Sequence, residues 1–186
     1  MLINISTWLQ KTSKNGWLVL ASFVLNMLFM GLVMPYAGAI LALAVGNGTG
    51  PLDLRFFYTP QEALAAVEAY GESGRAIYRI IELSADVIYP LVYTLAYGLL
   101  ISWFFQRGFA AGSPWQRANL LPVFALFFDL LENAAIVILL SVFPSAPFFL
   151  AALAALFTLL KWVFAFGSIF CLLIGLLAWL VSKFKK

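Results

Sequence analysis

The sequence predicts an all-α integral membrane protein: a four-transmembrane-helix bundle with a short amphipathic helix in the outer loop between transmembrane helices 1 and 2. Three observations predict it. Of 186 residues, 64% are hydrophobic and 10% charged, and the mean hydropathy is +0.99, whereas a soluble domain is about 45–50% apolar and 25% charged. The apolar residues gather into four runs, each long enough for a span of about 20 residues. The charges between those runs segregate by sign. One domain, residues 1–186, is expected.

The elements follow in order. Leu2, Ile3, Ile5, Trp8 and Leu9 suit a small interfacial helix before the first span. Transmembrane helix 1 is expected over about residues 17–43. Lys11, Lys14 and the Ala37-Gly38-Ala39 tripeptide give it the look of a signal peptide. Its apolar stretch is longer than the usual 7–15 residues, so it is read as a retained span. Thr59-Pro60-Gln61-Glu62 has the form of a capping box with proline at the first helical position. It opens an amphipathic helix over about residues 60–70, ended by Gly71, with Ala63, Leu64, Val67 and Tyr70 on one face. Transmembrane helix 2 is expected over residues 76–105 and helix 3 over residues 120–142. Ser113-Pro114-Trp115-Gln116 serves as a second capping box before helix 3. Pro144 and Pro147 bracket a tight turn, and helix 4 follows over residues 148–181. The first and fourth runs exceed a core of about 30 Å at ~1.5 Å per residue. Pro35 and Gly167 are their candidate break points.

Orientation follows from the loops. Lys11 and Lys14, then Arg107 and Arg117, then Lys183, Lys185 and Lys186 occupy three segments without an acid. The segment between helices 1 and 2 instead carries Asp53, Glu62, Glu68 and Glu72 against Arg55 and Arg75. The positive-inside rule then places both termini in the cytoplasm and the acidic loop outside, in a periplasm or lumen. The net charge of +3 forms no basic stripe, so no nucleic-acid partner is expected. Membrane lipids, a small-molecule ligand or a partner membrane subunit are the expected partners.

The functional clue is polar residues where the bilayer makes them expensive. A charge at the bilayer centre costs about 2.5–3.5 kcal/mol on insertion scales. Arg79, Glu82, Asp86, Tyr89, Tyr93 and Tyr97 follow steps of three, four, three, four and four, which keeps one helical face. Asp129, Glu132 and Asn133 share a face of helix 3. Thr158, Lys161 and Ser168 share one of helix 4, and Ser22 and Asn26 one of helix 1. Asp86, Glu132 and Lys161 lie about ten to thirteen residues from the outer ends of their spans, so they fall in one slab. Lys161 is expected to pair with Glu132 or Asp129. Pro90 is expected to leave the Asp86 carbonyl free for a ligand or water. Arg79, Lys161 and the four acids sum to −2 if all ionise, an excess that calls for protonation or for a cation.

The candidate ligand-binding residues are therefore Asn26, Arg79, Glu82, Asp86, Tyr89, Tyr93, Asp129, Glu132, Asn133 and Lys161. Catalytic residues stay unassigned, and neither a metal-ligand set nor a cofactor is expected. The sequence has no histidine, which removes His-based acid–base chemistry and most zinc sites. Its one cysteine, Cys171, reads as a packing residue.

The run Leu52-Asp53-Leu54-Arg55, Tyr58, Gly74-Arg75, Tyr78, Asp86, Tyr89-Pro90 and Tyr93 resembles a pattern in small uncharacterised bacterial four-span membrane proteins. Asp129 with Glu132-Asn133, followed by a proline after the span, resembles their later hallmark. The resemblance covers about residues 52–144 and implies a bacterial inner membrane as the location but no activity; it adds weight to these positions. Vitamin K epoxide reductase-like proteins need a CxxC pair, ceramidase-type hydrolases need histidines and voltage sensors need a repeating arginine helix, none of which this sequence has.

The expected function is binding or translocation of a small cationic or amphipathic ligand, or of a proton, at an acidic, tyrosine-lined site. An accessory or assembly subunit of a membrane complex is one alternative. An intramembrane acid–base enzyme acting on a lipid or isoprenoid is the other. Binding is preferred to catalysis because no nucleophile motif, phosphate loop or metal set accompanies the carboxyl groups.

Overall fold

The computed structural model describes residues 1–46 and 48–184. Among them the chain is all-helical: α1 Leu2–Thr12, α2 Gly16–Leu28, α3 Met34–Val45, α4 Pro60–Ala69, α5 Gly71–Leu83, α6 Ala85–Gly108, α7 Leu121–Val142 and α8 Phe148–Phe184. Gly16–Val45, Gly71–Gly108, Pro114–Val142 and Phe148–Phe184 are each long and apolar enough to cross a membrane. Four such helices suggest an integral membrane protein. Lys185 and Lys186, which belong to the basic C-terminal cluster, lie outside the described residues.

The chain resolves into two compact units, each assembled from distant segments. The first comprises Met1–Met27, Leu91–Leu126 and Val163–Lys186. Here α1 is fastened by side chains. Ser6 Oγ donates to Asn119 Oδ1 at 2.8 Å, and Asn119 Nδ2 donates back to the Ser6 carbonyl at 3.1 Å. Gln106 Nε2 donates to the Gln10 carbonyl and to Ser13 Oγ, both at 2.9 Å. Leu9 buries itself with Val19 and Leu99. Residues 114–120 form a 3₁₀ turn, and Gln116 donates to the Phe105 carbonyl. The second capping box is thus only half made: Ser113 Oγ accepts from the Trp115 N–H, but its glutamine goes elsewhere. Gly167 breaks nothing, because α8 is continuous.

The second unit comprises Leu28–Pro90 and Phe127–Trp162. Pro35 sits at the start of α3, immediately after a π turn over Phe29–Val33. A proline clashes with the carbonyl four residues earlier, and a π turn widens the helix at that point. The expected break is therefore a local widening. Gly46 ends α3 with φ +71°, the left-handed conformation that closes many helices.

The first capping box is complete: Thr59 Oγ1 accepts the Glu62 N–H, and Glu62 accepts the Thr59 N–H at 2.7 Å. Helix α4 buries Ala63, Ala66 and Val67 in this unit's core. Tyr70 and Gly71 then lead straight into α5, where a loop was expected. Gly71 manages this with φ +64°, a region open to glycine at no steric cost. Helix α5 thus begins before residue 76 and ends at Ser84 (φ −124°, ψ −84°), where α6 starts anew. Gly74 lets α5 approach α3, since a Cβ there would stand 2.7 Å from Val45 Cγ2. The segment between α3 and α4 folds inward and buries Leu52, Asp53 and Tyr58.

Candidate functional site

The site lies in the second unit and has two parts. The first is built on facing turns of α7 and α8. Asp129 and Glu132 are one turn apart on α7, and Thr158 and Lys161 are one turn apart on α8. Glu132 is fully buried. Its Oε1 accepts from Thr158 Oγ1 at 2.5 Å. Its Oε2 meets Lys161 Nζ as an ion pair and not as a directed hydrogen bond. Asp129 Oδ1 lies 3.9 Å from the same ammonium. The Tyr58 and Thr158 hydroxyls are 2.8 Å apart. Burial pushes the Tyr58 phenol well above its usual value, so Tyr58 stays a neutral hydroxyl and extends the chain Glu132–Thr158–Tyr58.

The second part is a group of three acids. One carboxyl oxygen each from Asp53, Glu82 and Asp86 lies within 4.8 Å of the other two, and all three residues are buried. Asp53 is held on several sides. Its Oδ1 accepts from the Tyr78 hydroxyl at 2.5 Å. That hydroxyl in turn accepts the N–H of Leu52 at 2.9 Å and of Asp53 at 3.3 Å. The Asp53 carbonyl accepts from Lys161 Nζ at 3.0 Å and from Trp162 Nε1 at 3.2 Å. Glu82, at 0% exposure, has no hydrogen-bond partner at either oxygen. A buried polar group without a partner is rare and costly.

Asn133 Nδ2 donates to the Asp86 carbonyl at 2.6 Å. Pro90 does free that carbonyl from the helix ladder, but a protein amide takes it, which corrects the expectation of an oxygen left for a ligand. The other atom of the same amide, Asn133 Oδ1, is buried without a partner.

Of the residues singled out in the sequence, the structure brings Glu82, Asp86, Asp129, Glu132, Asn133 and Lys161 into this one unit, all buried. Arg79 is half-buried and reaches the Leu140 carbonyl at 3.5 Å. It joins no carboxylate: among the described residues both ion pairs belong to Lys161. Tyr89 stacks its ring on Phe29 at 6.3 Å. Tyr93 and Asn26 belong to the first unit. Tyr93 packs on Tyr97 there, and Asn26 is fully buried with neither amide atom hydrogen-bonded.

Four site residues were not among those candidates: Asp53, Tyr58, Tyr78 and Thr158. Tyr78 carried a usable signal, since it precedes Glu82 by four residues as Glu82 precedes Asp86. Thr158 stood on the same face as Lys161. Asp53 and Tyr58 had only their place in the resemblance to commend them, because a loop has no periodicity to read.

Fold and site together define a class: an all-helical protein with four helices fit to span a membrane and a buried, carboxyl-rich centre. No protein-family model matches the chain, and no curated protein or solved structure is significantly similar to it.

Proposed function

We propose that this protein binds or translocates a small cationic or amphipathic ligand, or a proton, through its buried acidic and tyrosine-containing site. One observation carries the reading. Five buried acids, Asp53, Glu82, Asp86, Asp129 and Glu132, stand with one buried lysine, and Glu82 has no partner at all. Polar residues retained at membrane depth face one another or a substrate path and mark function by default. An excess of carboxyl groups selects a positive charge, and Tyr58 supplies a neutral hydroxyl that orients it.

In this reading the four spans bundle in a bacterial inner membrane, with both termini cytoplasmic, as the distribution of lysine and arginine favours. The amphipathic α4 then lies over the site on the outer side. No specific observation favours the accessory-subunit or lipid-enzyme alternatives.

The test uses the full chain, purified and reconstituted in liposomes. Binding of a lipophilic cation and proton flux across the membrane are measured for the wild type, Asp86→Asn and Glu132→Gln. Both variants are expected to lose binding or flux. Activity that is unchanged in both overturns the proposal.

A further inference from the structure

We infer that Asp53, Glu82 and Asp86 form a binding site for one hard divalent cation of the Ca2+, Mn2+ or Mg2+ class. The inference rests on the cation-binding reading above and gives its ligand a chemistry.

The spacing suits a single ion. Oxygen ligands stand about 2.0–2.1 Å from Mg2+ and 2.3–2.6 Å from Ca2+, so two ligands of one ion are at most about 4–5 Å apart. The three carboxyl oxygens are all within 4.8 Å of one another. The donors are all oxygen. The sequence has no histidine and a single cysteine, Cys171, which belongs to the first unit. An oxygen-only set selects hard ions over zinc or copper.

The independent sign of a ligand is Glu82. Its side chain is fully buried, its carboxyl points at those of Asp53 and Asp86, and neither oxygen has a partner. The nearby bases are already engaged. Lys161 serves Glu132, Asp129 and the Asp53 carbonyl, and Arg79 reaches the Leu140 carbonyl. Among the described residues no base forms an ion pair with Glu82.

The flanking groups are held as ligands need to be. Tyr78 fixes one oxygen of Asp53 and leaves the other free of that bond, while Lys161 and Trp162 fix its carbonyl. Such outer partners set the orientation of a ligating carboxylate. Asn133 anchors the backbone at Asp86 and keeps Oδ1 unpartnered on the same amide. The helix break at Ser84 lies between Glu82 and Asp86 and sets their mutual position. Three negative charges match a divalent ion better than a monovalent one, since affinity for such ions rises with the count of charged ligands.

The competing occupants are protons shared among the three carboxyl groups. The full chain, purified in detergent and stripped with chelator, is titrated with Mn2+, and loss of the free-ion paramagnetic resonance signal reports binding. The expected result is one Mn2+ per chain, displaced by Ca2+ or Mg2+, with binding abolished in Glu82→Gln and Asp53→Asn and retained in the exposed-site control Glu68→Gln. Tyr78→Phe, which keeps every ligand and removes the hydroxyl that donates to Asp53 and accepts the Leu52 and Asp53 N–H groups, is expected to weaken binding about 10- to 100-fold. Absence of Mn2+ binding to the wild type overturns the inference, as does binding that survives Glu82→Gln. Lipophilic-cation binding and proton flux are followed in the same preparations. If they persist, dependent on Asp86 and Glu132, while Mn2+ does not bind, the metal site falls and the wider reading stands. If neither occurs, both fall.

Discussion

Replacing Lys161 with methionine removes the ammonium from a site that was built around it. Lys161 is a partner in both ion pairs among the described residues, with Glu132 fully buried and Asp129 nearly so. Removing one member of a buried pair costs about 3–5 kcal/mol, because the other charge is left without compensation. The Asp53 carbonyl keeps Trp162 as a donor, so it adds little to that loss. The whole stability of a domain is about 5–15 kcal/mol, which makes the loss easy to see. Removing the opposing charge as well separates this cause from simple mispacking. In Lys161→Met with Glu132→Gln the amide still accepts from Thr158, and of the two paired carboxylates only Asp129, the more distant at 3.9 Å, still faces the vacated position. Exchanging a buried pair for uncharged groups of similar volume is often neutral, so the double variant is expected within about 1–2 kcal/mol of the wild type. The assay is reversible unfolding in mixed micelles, with chelator present, run as a double-mutant cycle. A cost below about 1 kcal/mol for Lys161→Met, the level of a solvent-exposed pair, refutes the reasoning. So does a double variant that loses the sum of the two single losses.

Other outcomes follow from the same structure. In chelator, Glu82→Met is expected to raise stability by about 1–3 kcal/mol, since it removes a buried carboxyl that has no partner; a loss in that range in the same unfolding assay counts against the account of Glu82. Gly74→Val is expected to cost about 1–3 kcal/mol, because its Cβ would press on Val45 Cγ2 at 2.7 Å; thermal unfolding equal to wild type would show that the α3–α5 contact is looser than described. Thr59→Ala is expected to cost about 1 kcal/mol by removing the α4 cap. Glu62 is held below the usual carboxylate range by the Thr59 N–H and hydroxyl, so its contribution is complete above its unfolded value and disappears as pH falls through its lowered folded value. Melting curves of wild type and Glu62→Gln are accordingly expected to differ at neutral pH and to converge in acid.

Several parts of the site could be read from the chain itself. Asp129 and Glu132 share a face by spacing alone, and Lys161 follows Thr158 by three residues, so the partnership of α7 and α8 needed only depth and face. Glu82 and Asp86 were legible in the same way. The carbonyl freed by Pro90 was legible too, but its occupant was not. Asn133 reaches it from α7, and no local rule relates residues 86 and 133. Gly71 does follow the end of α4, as its place in the sequence predicts, but it turns the chain directly into the next helix.

Taken alone, the sequence determined that four helices are long and apolar enough to cross a membrane and that each carries a polar side. Span length and helical period are properties of neighbouring residues, and the bilayer admits few alternatives. Only the tertiary structure decided which polar groups meet. Asp53 joined the carboxyl group because the connection after α3 folds inward, where Tyr78, Lys161 and Trp162 bind it. Those contacts join residues 25 to 109 positions apart, and no periodicity in a chain encodes a meeting at that separation.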